Sequence, residues 1–341
     1  MSTPHKPLRV LITGGGGFIG SHLSELLLDR GDTVTVVDDF STGRRGNLAI
    51  VRSVPSRVER YRVIEGTVSA VLPSLSPLDF DCVYHLAAAV GVRMVVEQPI
   101  HTIETNVHET SAVLRFCSER ALPVLIASTS EVYGKGVRVP MREDDDVVYG
   151  STGFSRWCYA CSKAIDEYLA LAYSREFGLP AVIARFFNTV GPRQIGEYGM
   201  VLPRFVAAAL AGRDLEVHGD GTQSRCFCDV RDVVRVLPRL VETPSSHGRV
   251  YNIGREEPIT IRALAELVVA TLGSSSAIRV VPYEKAFSAG FDDLLVRQPD
   301  LSRIRAAVGF EPTISLVQTI RDLATELATR HAADSSAGAG R

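Results

Sequence analysis

The 341-residue sequence predicts an α/β fold: a doubly wound parallel sheet with a smaller C-terminal α/β lobe. Three observations predict it. Short strands alternate with helical stretches through the first half. Those strands are apolar along their whole length, not at every second position. A glycine-rich turn joins the first strand to the first helix. Strands apolar throughout must be covered on both faces, which a parallel sheet between two helix layers provides.

The elements follow in order. "LRVLIT" (8–13) is a strand, and "FIGSHLSELLLDRG" (18–31) is a helix closed by Gly31. "TVTVVD" (33–38) is a β-branched strand ending in acid. "RVI" (62–64), "CVYHLA" (82–87), "PVLIAS" (123–128) and "AVIARF" (181–186) are further strands, with helical stretches at 96–118 and 156–178. Beyond residue 187 the pattern loosens: "GPRQIGEYGM" (191–200) reads as a loop and "VLPRFVAAALAG" (201–212) as a helix. The expected organisation is a first domain over 1–187, to whose sheet later segments return, and a second lobe made mainly by 188–330. The tail 331–341, "HAADSSAGAGR", is small and polar and is expected to be disordered.

Composition narrows the function. Apolar residues make up 45% and charged residues 22%, enough for a sizeable core, and the net charge of −2 argues against a nucleic-acid partner. No apolar run is long enough to span a membrane, and the N-terminal apolar stretch is too short for a signal peptide. Six cysteines fit a reduced, cytoplasmic protein. The close pairs Cys158–Cys161 and Cys226–Cys228 lack the further ligands of a zinc site, so they read as free thiols and no metal is expected.

The run "LITGGGGFIGSHL" (11–23) has two registers: Gly15, Gly17 and Gly20 spell GxGxxG, while Gly14, Gly17 and Gly20 spell GxxGxxG. Either lies between strand and helix, where a pyrophosphate meets unpaired N–H groups and the positive end of the helix dipole. This is the Rossmann arrangement. Asp38 ends the second strand, eighteen residues beyond Gly20. A carboxylate there accepts the ribose hydroxyls of NAD and repels the extra phosphate of NADP; Arg44 and Arg45 close behind keep an NADP reading in view.

A second constellation carries chemistry. In "WCYACSK" (157–163), Tyr159 and Lys163 lie one helical turn apart on one face. A tyrosine of ordinary pKa, about 10, is a poor base at neutral pH, but a neighbouring ammonium favours its phenolate and makes Tyr159 a candidate base for a sugar hydroxyl. Upstream, a strand runs into "STSEVYG" (128–134). Ligands sit at the carboxyl ends of parallel strands, so Ser128, Thr129, Ser130 and Glu131 should face the reacting centre. Thr129 can bond the reacting hydroxyl, and Glu131 can hold or move a proton.

These segments, with "VVDDFSTG", "ETNV", "RFFNTVGPRQ", "GDGTQSRCFCDVRDV", "YNIG" and "RQPDLSRIRAAVGFEP", make the chain resemble the extended short-chain dehydrogenase/reductases that modify nucleotide sugars, from about Leu8 to Leu323. The resemblance implies the register Gly14, Gly17, Gly20, with Gly16 incidental. It implies cofactor contacts at Phe18, Ile19, Asp38, Asp39, Phe40, Ser41, Thr42, Gly43, Leu86, Ala87, Ala88, Asn106, Ser128, Tyr159, Lys163, Phe186 and Val190. Substrate contacts are implied at Val90, Glu131, Asn188, Arg193, Val201, His218, Arg225, Arg297 and Asp300, with Arg225 and Arg297 on the diphosphate or sugar. Two departures stand out: Thr67 occupies the place of an adenine-contacting aspartate, and His218 that of a tyrosine that often stacks on the base.

Family members oxidise C4 of the sugar with NAD, and the 4-keto sugar then loses carbon dioxide, loses water, or is reduced on its other face. The triplet "TSE" resembles UDP-glucuronate decarboxylases, while "AAAVGVR" and "DDFSTG" look epimerase-like. UDP-glucuronate decarboxylation is the leading expectation, followed by 4-epimerisation, then 4,6-dehydration. A non-catalytic dinucleotide sensor on the same fold is last, because the chain keeps both Tyr159 and Lys163. The family also implies a homodimer formed through 96–118 and 156–178.

Overall fold

The computed structural model describes residues 6–196, 200–282 and 295–338. Its main sheet has seven strands: β1 Arg9–Thr13, β2 Thr33–Asp38, β3 Tyr61–Glu65, β4 Cys82–His85, β5 Val124–Thr129, β6 Ala181–Phe186 and, far along the chain, β11 Arg249–Ile253. Their order is β11-β6-β5-β4-β1-β2-β3, and all pairings are parallel. The chain runs outward from β1 to β3, then returns to the other side of β1 with β4. The carboxyl ends of β1 and β4 therefore flank the topological switch point.

Alternation along β1 shows why its strands are apolar throughout. Val10 and Ile12 enter the core beneath the helices Phe18–Arg30 and Val230–Glu242, and Leu11 enters the core beneath Pro99–Ser118 and Cys158–Phe177. A side chain of this size fully buried is worth about 1.5–3 kcal/mol. Local signals set the helix ends. Gly31, at φ 103°, and Gly178, at φ 67°, close their helices in the left-handed region. The expected helix 96–118 is two, Val92–Glu97 and Pro99–Ser118, because proline begins a helix more readily than it continues one.

The second lobe has its own core, built on the helices Val201–Leu210 and Ile261–Leu272 and on Ile320, Leu323 and Ala324. Its strands are short: β7 Thr189–Val190 pairs with β10 Cys228–Asp229, β8 Leu215–His218 with β13 Ile278–Val281, and β9 Ser224–Cys226 lies between β12 Pro258–Thr260 and β14 Val296–Arg297. The expected return to the first sheet occurs through β11 and the helices Val230–Glu242 and Ser302–Val308, whose apolar residues join the first core. Of the expected loop 191–200, residues 197–199 lie outside the described residues.

The tail requires a correction. The last helix runs Leu316–Gly338, so residues 331–338 are helical and not disordered; residues 339–341 lie outside the described residues. Alanine-rich sequence has high helix propensity, and the preceding turns are anchored by Ile320 and Leu323. Two paired helices leave large side chains in solvent: Ile100 (71% exposed) and Ile103 on Pro99–Ser118, and Ile165 and Tyr168 (65%) on Cys158–Phe177.

Candidate active site

The carboxyl ends of β1, β2, β4, β5 and β6 open onto one cavity of about 570 Å³, closed on the far side by residues of the second lobe. The glycine turn makes its floor. Gly14 has φ +74°, and a Cβ there would lie 2.6 Å from the Ala87 nitrogen beyond β4. A Cβ on Gly20 would run into the Gly14 carbonyl oxygen. Helix Phe18–Arg30 starts without a side-chain cap and without an acid in its first turn. Its N-terminal donors and dipole are therefore left for an anion.

Asp38 lies at the end of β2, nearly buried. Its Oδ2 accepts from Gly16 N at 2.8 Å and its Oδ1 from Phe40 N at 2.8 Å. Burial pushes its carboxyl above the usual range, against the pull of these two N–H groups. Each oxygen keeps a further lone pair, which is what two ribose hydroxyls require. The backbone of Gly16 serves this turn: its N–H orients Asp38, and its carbonyl accepts from Arg44 N and Asn47 Nδ2.

Most of the expected cofactor residues line this end: Gly14, Gly17, Phe18, Ile19, Gly20, Asp38, Asp39, Ser41, Thr42, Leu86, Ala87, Ala88, Ser128, Phe186 and Val190. Three do not, and act one layer back. Phe40 and Gly43 pack on Asp38 and its turn; a Cβ on Gly43 would lie 2.6 Å from Asp38 Oδ1. Asn106 accepts from Ala89 N at 2.8 Å and donates to Ser162, which fixes the segment after β4. Thr67 lines the cavity in the aspartate's place.

At the other end stand Tyr159, Lys163, Thr129, Ser130 and Glu131. Tyr159 and Lys163 come from the first turns of Cys158–Phe177, and Lys163 Nζ donates to the buried Asp166 at 2.6 Å. That carboxylate holds the ammonium in place beside the tyrosine's turn. Thr129 Oγ1 accepts from Glu131 N at 3.2 Å, so the threonine caps the turn Ser130–Tyr133 that carries the glutamate. Glu131 Oε1 lies 3.4 Å from Arg297 Nη1, and both side chains are mostly buried.

Val90, Asn188, Val201, His218, Arg225 and Arg297 also line the cavity. Arg225 and Arg297 are register partners on β9 and β14. Burial, then the nearby Arg204, lowers the His218 pKa. Two further expected substrate residues have partners within the protein. Arg193 lines the cavity, but its guanidinium pairs with Glu25 of helix Phe18–Arg30, on the glycine-turn side. Asp300 lies outside the lining: it caps Ser302 and pairs with Arg142 at 2.9 Å.

Sequence reasoning missed Met94, His101 and Thr105, which line the cavity from two helices, and Arg204 and Gln223 from the second lobe. Helical spacing of the first three was visible; their direction was not. The six cysteines are free, and among the described residues no group of three His, Cys, Asp or Glu side chains could hold a metal ion. No helix there is long and apolar enough to cross a membrane.

A family model described as the NAD dependent epimerase/dehydratase family matches residues 10–254. The chain belongs to that family. It is 40% identical over 323 residues to a UDP-N-acetyl-alpha-D-glucosaminuronate decarboxylase of Bacillus cytotoxicus, covering 92% of this chain and 96% of that relative. It is 36% identical over 327 residues to UDP-glucuronic acid decarboxylase 1 of Arabidopsis thaliana, covering 95% of this chain and 71% of the relative. The UDP-glucose 4-epimerase of Thermotoga maritima, solved with UDP-glucose, superposes with a TM-score of 0.83 at 27% identity, covering 94% of this chain and 99% of the other.

The cofactor is NAD, and the cradle fits it: a turn that no side chain could enter, an uncapped helix start, and an acid with free lone pairs. Asp38→Ala should weaken NAD binding and narrow the preference over NADP, because it removes both an acceptor and a repulsion. Calorimetry with each cofactor on the apo protein checks this; an unchanged preference would count against the assignment.

Proposed function

We propose that this member of the family removes the C6 carboxylate of a UDP-linked uronic acid, such as UDP-glucuronate or its 2-acetamido counterpart. The observation that carries the reading is the Glu131–Arg297 pair, set in the same cavity as Tyr159. A 4-epimerase needs no group at C5, whereas a decarboxylase must bind a carboxylate and manage a proton there. Both curated relatives are named as decarboxylases.

Bound NAD supplies the acceptor for the C4 hydride and later returns it. Tyr159 takes the O4 proton, favoured by the Lys163 ammonium. Thr129 and Ser130 lie at the end of β5, in position to hold O4. Once C4 is a ketone, the substrate is a β-keto acid. The C5–C6 bond breaks, carbon dioxide leaves, and the electron pair passes through C5 to O4 as an enolate. Arg297 balances the negative charge beside C5, and Glu131 manages the proton that C5 must regain. Arg225 and Arg297 present guanidinium forks suited to a diphosphate.

A mass spectrum of the product from a panel of UDP-sugars tests the reading. A product lighter by carbon dioxide is expected from UDP-glucuronate; loss of water would mean dehydration. Unchanged mass with an altered C4 would establish epimerisation, which the likeness to the Thermotoga maritima enzyme keeps as the second reading. Glu131→Gln keeps the size and removes the proton transfer, so reduced cofactor should accumulate in a single turnover.

Tyr159→Phe keeps the ring and removes the acid–base oxygen. Turnover should fall by about a hundred- to ten-thousand-fold with the melting temperature preserved. Near-normal turnover would place the base elsewhere.

We also propose that two copies pair through Pro99–Ser118 and Cys158–Phe177, which would cover Ile100, Ile103, Ile165 and Tyr168. Sedimentation should give a dimer at micromolar concentration, and Ile100→Asp with Tyr168→Asp should give a monomer.

A further inference from the structure

One buried polar residue joins the two halves of the Glu131–Arg297 pair. Asn252 lies in β11 of the main sheet, wholly buried, with Arg185 of β6 as its register partner. Its neighbours Val250, Tyr251 and Ile253 supply the packing that a core strand needs. The polar groups of Asn252 bond elsewhere. The side-chain oxygen accepts from Tyr133 Oη at 2.7 Å, and the side-chain nitrogen donates to Met141 O at 3.0 Å and Asp300 O at 3.2 Å. Its backbone N–H donates to Glu143 Oε1 at 2.9 Å. Two carbonyls and a phenol fix which end of the amide is nitrogen.

Each of these partners leads to one side of the site. Tyr133 ends the turn Ser130–Tyr133 that carries Glu131. Asp300 belongs to the segment that begins at Arg297: Met141 N donates to Gln298 O at 2.8 Å, and Asp300 N donates to Met141 O at 2.8 Å. Asn252 therefore bonds to both segments. Beneath it lies a second layer. The Arg185 guanidinium lies 4.6 Å from the centre of the Tyr133 ring and grips Glu167 with three hydrogen bonds, and Glu167 accepts from Ser128, three residues before Glu131. Lys163 has its own anchor, Asp166.

An asparagine with no bonding role would be a poor choice here, since a buried amide without partners loses its hydration with nothing in return. We infer that Asn252 is a positioning residue: it holds Glu131 against Arg297, with the buried Glu167–Arg185 pair as its footing, and governs the step at C5 more strongly than the oxidation at C4. The kinetic part rests on the decarboxylase reading above; the positional part does not.

The test uses the full chain with NAD and two variants, Asn252→Ala and Tyr133→Phe. The second removes one hydroxyl and keeps the ring over Arg185. With UDP-glucuronate in a single turnover, cofactor reduction should slow by no more than a few-fold, since Lys163 keeps its own anchor in Asp166. Release of carbon dioxide should slow by about a hundredfold in Asn252→Ala, the scale of a group misplaced by an ångström, and less in Tyr133→Phe. Reduced cofactor should accumulate in between. Equal loss of both steps, or loss of neither, overturns the inference, because a merely structural role would not split them.

If the parental protein releases no carbon dioxide from any UDP-uronic acid, the decarboxylase reading fails instead. The positional claim is then decided by crystal structures of the parent and of Tyr133→Phe, or Asn252→Ala where it folds. Arg297 should move out of hydrogen-bond range of Glu131, and an unchanged spacing overturns the claim.

Discussion

At the first turn, backbone must touch backbone. Gly20 sits against the carbonyl of Gly14, and Gly14 sits against Ala87, so β1, helix Phe18–Arg30 and the segment leaving β4 meet with no side chain between them. The contact fixes three things together. It places the open helix start at the switch point, it sets the spacing between β1 and β4, and it leaves the cavity floor bare. Close below, His85 of β4 joins β1 to helix Pro99–Ser118: Nδ1 meets Thr13 Oγ1 at 2.7 Å, and Nε2 meets Thr110 Oγ1 at 3.1 Å. Burial, with Lys163 nearby, lowers its pKa to about 3, so the ring stays neutral and can serve one hydroxyl as donor and the other as acceptor.

The sheet was legible because its signals are local. Apolar runs, a closing glycine and an acid after β2 each concern a few neighbouring residues, and the strands through β6 fall where those signals put them. β11 was foreseen only as an unspecified return, since nothing near Arg249–Ile253 says which sheet it joins. The tail was misread because composition alone does not show that Ile320 and Leu323 anchor the helix leading into it. At the site, residue types were legible and partners were not. Glu131 and Arg297 were each singled out for separate duties, yet they are 166 positions apart and meet. The same separation hid the partners of Arg193 and Asp300, Glu25 and Arg142, which lie far off in the chain.

The pairing of Glu131 with Arg297 changes how the basic end of the cavity works. Arg225 and Arg297 stand side by side on β9 and β14, and two like charges in register repel. Glu131 offsets part of that repulsion from the side of the main sheet, and on the proposed function a diphosphate offsets the rest from within the cavity. The arginine that faces the leaving carboxylate is thus also neighbour to the one that would grip the nucleotide. The two lobes have separate cores. What aligns the chemistry across them is therefore not continuous packing but the few polar bonds that cross the gap. A carboxylate carried by the main sheet meets a guanidinium carried by β14 across the cavity, so on the proposed function the two charged groups of the C5 step are preassembled by the fold.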